Sequence, residues 1–159
     1  MRTEAALDSL IRLHDTRRRL CWHGALLLLL GMLTGLVEAQ FTNVRMGLAA
    51  HLEGIMNGIL LLALAQAWPE LRLGARAHAL ALRALLYGTY ANFGFTTLSA
   101  IWGTIGLSPI TADGLTAADP WKENLVLAGF ISVGLAMLTA VGLILWGLRR
   151  REEPEDRTN

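Results

Sequence analysis

The sequence predicts an all-α integral membrane protein, a bundle of four transmembrane helices with both termini in the cytoplasm. Charge is absent from three long runs, Gly24–Val37, Ala84–Pro109 and Leu125–Leu148. Hydrophobic residues make up 53% of the 159-residue chain and charged residues only 17%, against roughly 25% in globular proteins. Once four helices are drawn, twelve of the fourteen Lys and Arg fall on one side of them.

The first 19 residues form a basic cytoplasmic segment with Arg2, Arg12, Arg17, Arg18 and Arg19. The "LDSLIRLHDTRRRLCWH" stretch reads either as an amphipathic interfacial helix or as a basic stop segment. The first span runs roughly Leu20–Ala39. It lies behind the charged "RLHDTRRRL" and three more apolar spans follow, so a cleavable signal peptide is not the reading. The second span is roughly Gly47–Trp68, closed by Pro69. The third is roughly Ala79–Trp102 and the fourth Asn124–Leu148. Each approaches or exceeds the roughly 20 residues that cross a bilayer. The Pro, Gly, Asp and Thr content of "SPITADGLTAADPW", Ser108 to Trp121, makes it the one long loop. Residues 149–159, "RREEPEDRTN" with the preceding arginine, form a solvated tail.

Orientation follows from the basic residues. The N-terminal segment, the second connection with Arg72, Arg76 and Arg83, and the tail are cytoplasmic, leaving only Arg45 and Lys122 outside. In a bacterium this is the inner membrane. The net charge of +1 implies no nucleic acid or other acidic polymer as partner, and the single Cys21 excludes an internal disulfide. Trp22, Trp68, Trp102, Trp121 and Trp146 all lie near span ends, as an interfacial aromatic belt would place them.

At about 100° per residue, small residues form a stripe on every helix. On the first these are Gly24, Gly31 and Gly35, leading to Glu38; on the second, Gly54, Gly58 and Ala65. On the third they are Gly88, Asn92, Thr96, Ser99 and Gly103; on the fourth, Gly129, Ser132, Ala136, Ala140 and Gly147. Small residues let helices approach closely in lipid, so tight packing accounts for most of them.

The ionisable residues of "NVRMGLAAHLEGIMNGILLLALAQAW" need more than packing. A charge within a bilayer costs a few kcal/mol even on lenient scales, about +2.5 to +3.5. Glu38 lies at an outer helix end, where water is expected to reach it. Glu53 lies about two turns inside and stands i,i+4 from Asn57, so the two share a face. His51 points about 120° away from Asn57, near Gly54 and Gly58. The glycines leave room beside His51 for a flat partner, a helix or a macrocycle. Zinc would want three or four ligands, and no spacing recommends Glu38 or Glu53 as companions. A single histidine can instead hold a haem from one side and leave the other iron face open.

"RMGLAAHLEGIMNGILLLALA", "YGTYANFGFTTLSAIWGT" and the later "LILWGLR" together resemble the hydroxylaminobenzene mutase family of bacterial membrane proteins, over roughly residues 20 to 150. More distantly the chain is similar to styrene oxide isomerase. The shared features are a histidine followed six residues later by Asn-Gly, here His51 and Asn57-Gly58, and the core Ala91-Asn92-Phe93-Gly94-Phe95.

The resemblance implies a four-helix membrane enzyme, a homotrimer with haem b at its subunit interfaces. The second-helix histidine, here His51, would be the axial ligand, with ferric iron acting as a Lewis acid. Asn57 and Asn92 would hydrogen-bond a small aromatic substrate, with Tyr90 or Tyr87 at the aryl ring. Glu53 would carry a proton or fix the surroundings of the histidine. Gly54 and Gly58 would flank the cofactor, and Arg45 would pair a propionate or a lipid headgroup. Two departures, Thr96 where the isomerase has tyrosine and Gly88 where it has aspartate, favour mutase over epoxide chemistry. The implied reaction converts an N-arylhydroxylamine to an ortho-aminophenol. Two further classes compete: a small proton-coupled transporter using Glu38 or Glu53, and a non-catalytic haem protein.

Overall fold

The computed structural model describes residues 2–107, 109–111 and 114–149. The tail expected beyond Arg149 lies outside the described residues. Four helices make up the fold: α1 (Arg2–Val37), α2 (Val44–Ala67), α3 (Ala75–Trp102) and α4 (Pro120–Arg149). Short 3-10 turns at Glu38–Gln40, Trp68–Glu70 and Pro109–Thr111 serve the connections. No strand occurs among the described residues.

The helix ends follow local chemistry. Asn43 caps α2, its side chain accepting from the Met46 amide at 3.0 Å, which satisfies one of the free amides of the first turn. α3 ends at Gly103, whose φ of 67° is the left-handed conformation that glycine adopts without strain. Pro120 opens α4, where its missing N–H costs nothing. Helix α4 thus begins four residues before the expected span, inside the segment read as loop. The basic N-terminal segment runs on into the first span, because α1 is continuous from Arg2 to Val37.

The helices pack in sequence order. α1 lies along α2, α2 along α3, and α3 along α4. Among the described residues no comparable seam joins α1 to α4, so these helices form an open row rather than a closed ring. Leu27, Leu61, Leu85, Ala140 and Trp68 belong to its buried core. Trp68 is fully buried and meets the His78 ring at 5.1 Å, so it belongs to the core and not to an interfacial belt.

Glycine sets the α1–α2 seam. A Cβ on Gly31 would stand 2.7 Å from the Ile55 amide nitrogen, and one on Gly58 would stand 2.8 Å from the Gly24 carbonyl oxygen. The two backbones approach closely because neither carries a side chain there.

Among the described residues the basic early part of α1, the second connection and the end of α4 lie together, with Arg45 and Lys122 at the other end. Arg17 donates to Gln66 Oε1 at 2.7 Å, bringing the early part of α1 beside the end of α2. The Arg72 amide donates to the Gly147 carbonyl at 3.2 Å, bringing the second connection beside the end of α4. At the opposite end the Asn43 amide reaches the Ala100 carbonyl at 3.0 Å. There one Glu123 carboxylate accepts from the amides of Ile105, Gly106 and Ala118 at 3.0–3.2 Å, pinning both sides of the loop to α4.

Among the described residues three helical stretches are long and apolar enough to cross a membrane: His14–Gln40, Val44–Glu70 and Pro120–Arg149. The third helix is long enough, at 28 residues, but more polar. Its polar side chains between 87 and 99 are nevertheless all hydrogen-bonded. Thr89, Thr96 and Thr97 donate to carbonyls one turn back. Tyr87 meets Ser132, Tyr90 meets His23, Asn92 meets Glu53, and Ser99 meets Thr104. Hydropathy counts these groups as free, whereas a paired group costs far less to bury.

Candidate active site

His51 and Glu53 sit two residues apart on α2 and face different neighbours. His51 lies in the α1–α2 seam, half-buried, with Nδ1 2.8 Å from the Gly31 carbonyl oxygen. A carbonyl only accepts, so Nδ1 carries a proton, and in the neutral ring that leaves the lone pair on Nε2. Among the described residues nothing hydrogen-bonds Nε2, and it is not one of the sealed, unpartnered atoms. Gly35 makes the space. A Cβ there would stand 2.5 Å from His51 Nδ1 and 2.8 Å from Cε1. A fixed ring with a bare nitrogen is the form of histidine that binds a metal.

The second group is a carboxylate–amide cluster between α2 and α3. Glu53 Oε2 accepts from Asn92 Nδ2 and, at 3.3 Å, from Asn57 Nδ2. The Asn57 amide also lies 3.4 Å from the Thr89 carbonyl oxygen. Asn57 is 6% exposed while Glu53 and Asn92 are half-buried. The cluster pairs a membrane-depth carboxylate with donors, so its burial is compensated.

Gly54 and Gly58, expected beside a cofactor, are packed against α1. A Cβ on Gly54 would stand 2.5 Å from Gly31 Cα, so the flat partner in that notch is a helix. Tyr90 does not join the amides. Its hydroxyl lies 2.9 Å from His23 Nδ1, toward α1, and it points about 160° around α3 from Asn92. Tyr87 is tied to Ser132 on α4 at 2.7 Å. Arg45 donates to the Ile110 carbonyl at 3.1 Å, about 9 Å along the helix from His51. Glu38 does not sit in open water, since its Oε2 is buried with no hydrogen-bond partner.

No three His, Cys, Asp or Glu side chains converge among the described residues, so protein groups alone do not assemble a zinc-type ligand set there. His51 could instead be the one protein ligand of a metal whose remaining ligands a macrocycle supplies.

The family model of styrene oxide isomerase matches residues 16–149, which takes in α2, α3, α4 and α1 from residue 16 onward. The chain belongs to the styrene oxide isomerase family. It is 46% identical over 133 residues to the hydroxylaminobenzene mutase HabB of Ectopseudomonas oleovorans, covering 83% of this chain and 80% of that protein. It is 40% identical over 128 residues to HabA of the same organism, covering 80% and 94%. No solved structure matches the chain. This member of the styrene oxide isomerase family is therefore an isomerase of the mutase type. Gly88 and Thr96, the two positions read in the sequence as departures from the isomerase pattern, have structural occupants: Gly88 faces the Met137 side chain of α4, and Thr96 is buried with its hydroxyl on the Asn92 carbonyl.

The sequence missed the anchor of His51. The Gly31 carbonyl is backbone from another helix, and Gly35 acts by having no side chain. The only trace was their place on the same α1 stripe. The His23–Tyr90 pair left no local signal, because the two residues lie 67 positions apart.

Proposed function

We propose that the protein rearranges N-arylhydroxylamines, hydroxylaminobenzene among them, to ortho-aminophenols in the bacterial inner membrane. The observation that carries this reading is the cluster of Glu53, Asn57 and Asn92 at membrane depth, in a chain similar along most of its length to two hydroxylaminobenzene mutases. In the reaction the N–O bond breaks and an ortho C–O bond forms. The proton lost from the ortho carbon balances the one that nitrogen gains, so no reductant is needed. Asn57 and Asn92 hold the polar head of the substrate. Glu53, the one carboxylate within α2 or α3, passes the proton. The surrounding apolar helix faces keep bulk water from competing for the ring.

His51 would hold haem b through Nε2, with Gly31 and Gly35 fixing the ring. When bound, haem iron supplies a Lewis acid that makes the hydroxyl a better leaving group.

His51 lies about 160° around α2 from Glu53, so one chain does not present both groups on one face. A site that uses both needs two copies, which favours the trimer implied by the resemblance. Exposed apolar side chains on the intervening face, Leu52 at 45% and Met56 at 54%, suit burial against a neighbour or lipid. All four helices span the membrane in this reading, α3 by virtue of its satisfied polar groups. Both termini are cytoplasmic, since the basic end faces inward.

The test is the reaction itself. Purified protein with haem supplied, given phenylhydroxylamine and no reductant, yields 2-aminophenol. Reduction to aniline, or recovery of unchanged substrate, would contradict the reading.

A further inference from the structure

The carboxylate of Glu53 does something to its amide partners that a proton carrier need not do. An ionised carboxylate only accepts hydrogen bonds, so an amide facing it must present nitrogen. Both Asn57 and Asn92 turn Nδ2 toward the same oxygen, Glu53 Oε2. The Thr89 carbonyl, a second pure acceptor, draws the Asn57 nitrogen the same way. The orientation of both amides is thus fixed by chemistry. Both Oδ1 atoms are left over. Among the described residues nothing donates to either oxygen, and neither is sealed without a partner.

We infer that Glu53 sets substrate specificity, turning Asn57 and Asn92 so that the site offers carbonyl oxygens and takes substrates whose polar head donates hydrogen bonds. The inference rests on the proposed placing of substrate at the two asparagines. An arylhydroxylamine brings an N–H and an O–H to such a site. An epoxide brings only an oxygen, which would meet carbonyl oxygens lone pair to lone pair. Sites built to pair with a donor reject analogues that lack it far more strongly than apolar pockets reject a change of size. Glu53 is a positioning residue in this role, acting through the amides.

Binding of a donor ladder tests it. N-Benzylhydroxylamine has the same head but cannot rearrange, because its nitrogen is not on the ring. It is titrated calorimetrically against its N-methyl, O-methyl and N,O-dimethyl derivatives, using the full-length protein in lipid nanodiscs. In the wild type each donor removed weakens binding about tenfold. In Glu53→Leu the whole ladder spans about threefold or less, because the amides are free to turn. Glu53→Gln, whose side-chain carbonyl still accepts from both amides, keeps the wild-type ladder. A flat wild-type ladder, an unchanged one in Glu53→Leu, or a Gln variant as flat as Leu would overturn the inference. Turnover is scored separately. A wild type that shows the ladder but leaves phenylhydroxylamine unchanged supports the specificity and retires the reaction.

Discussion

One carbon atom added at Gly35 should unseat His51. In Gly35→Ala the new Cβ would stand 2.5 Å from Nδ1, 2.8 Å from Cε1 and 3.1 Å from Cγ. Ordinary contact begins near ~3.5 Å, so the ring must retreat by about 1 Å. Its 2.8 Å bond to the Gly31 carbonyl then passes beyond hydrogen-bond length. Losing that bond costs about 1 kcal/mol, and overpacking the seam costs ~1–3 kcal/mol. Alanine returns up to about 1 kcal/mol of helix propensity. The net destabilisation is about 1–3 kcal/mol, read as a lower Tm in detergent. Losing the partner that orients a metal-binding histidine typically weakens metal affinity about 10–100-fold. Titrating haem into Gly35→Ala, and following the Soret absorbance, measures this. Gly142→Ala is the control, since a Cβ there meets nothing within 4 Å. If Gly35→Ala melts and binds haem like the wild type, the seating of His51 described above is wrong.

Other perturbations read other parts of the structure. Gly54→Ala drives a Cβ into the backbone of Gly31; it should lower stability by about 3 kcal/mol or more, seen in the same melting assay. Asn92→Leu strips Glu53 of a donor and the substrate of a partner, and should reduce kcat/KM by about 100-fold or more on the scale of a lost acid–base or orienting group. Tyr90→Phe removes only the bond to His23, and should change kcat/KM by less than about threefold. Glu123→Ala frees the amides of Ile105, Gly106 and Ala118. Hydrogen exchange there should speed up by about tenfold, on the scale of a lost bond to a charged acceptor, with the helix interiors unchanged.

Much of the fold was legible because bilayer and helix impose simple rules. Charge-free runs located the helices to within a few residues at most ends. Asn43, Gly103 and Pro120 stand where caps and breaks require such residues. α3 is the instructive exception. Its polarity was visible, but the partners of Tyr90 and Asn92 come from α1 and α2, so their pairing needed the relative rotation of three helices. Of the site, the Glu53–Asn57 pair followed from its i,i+4 spacing. Asn92 joining it did not, for the same reason of rotation. The α1 glycines were legible as packing residues. That one of them supplies the histidine's hydrogen bond through its carbonyl was not, since sequence carries no signal for backbone atoms. Glu38 was placed by its rank along the helix, which could not show that Oε2 is buried.

In the proposed function His51 gives this protein its chemistry. The direct measurement pairs an absorption spectrum with phenylhydroxylamine turnover, for haem-supplied wild type and His51→Ala side by side. The wild type should show a Soret band and form 2-aminophenol, and the variant should do neither. A haem-free preparation, or His51→Ala, that still forms 2-aminophenol at the wild-type rate would contradict that role of His51.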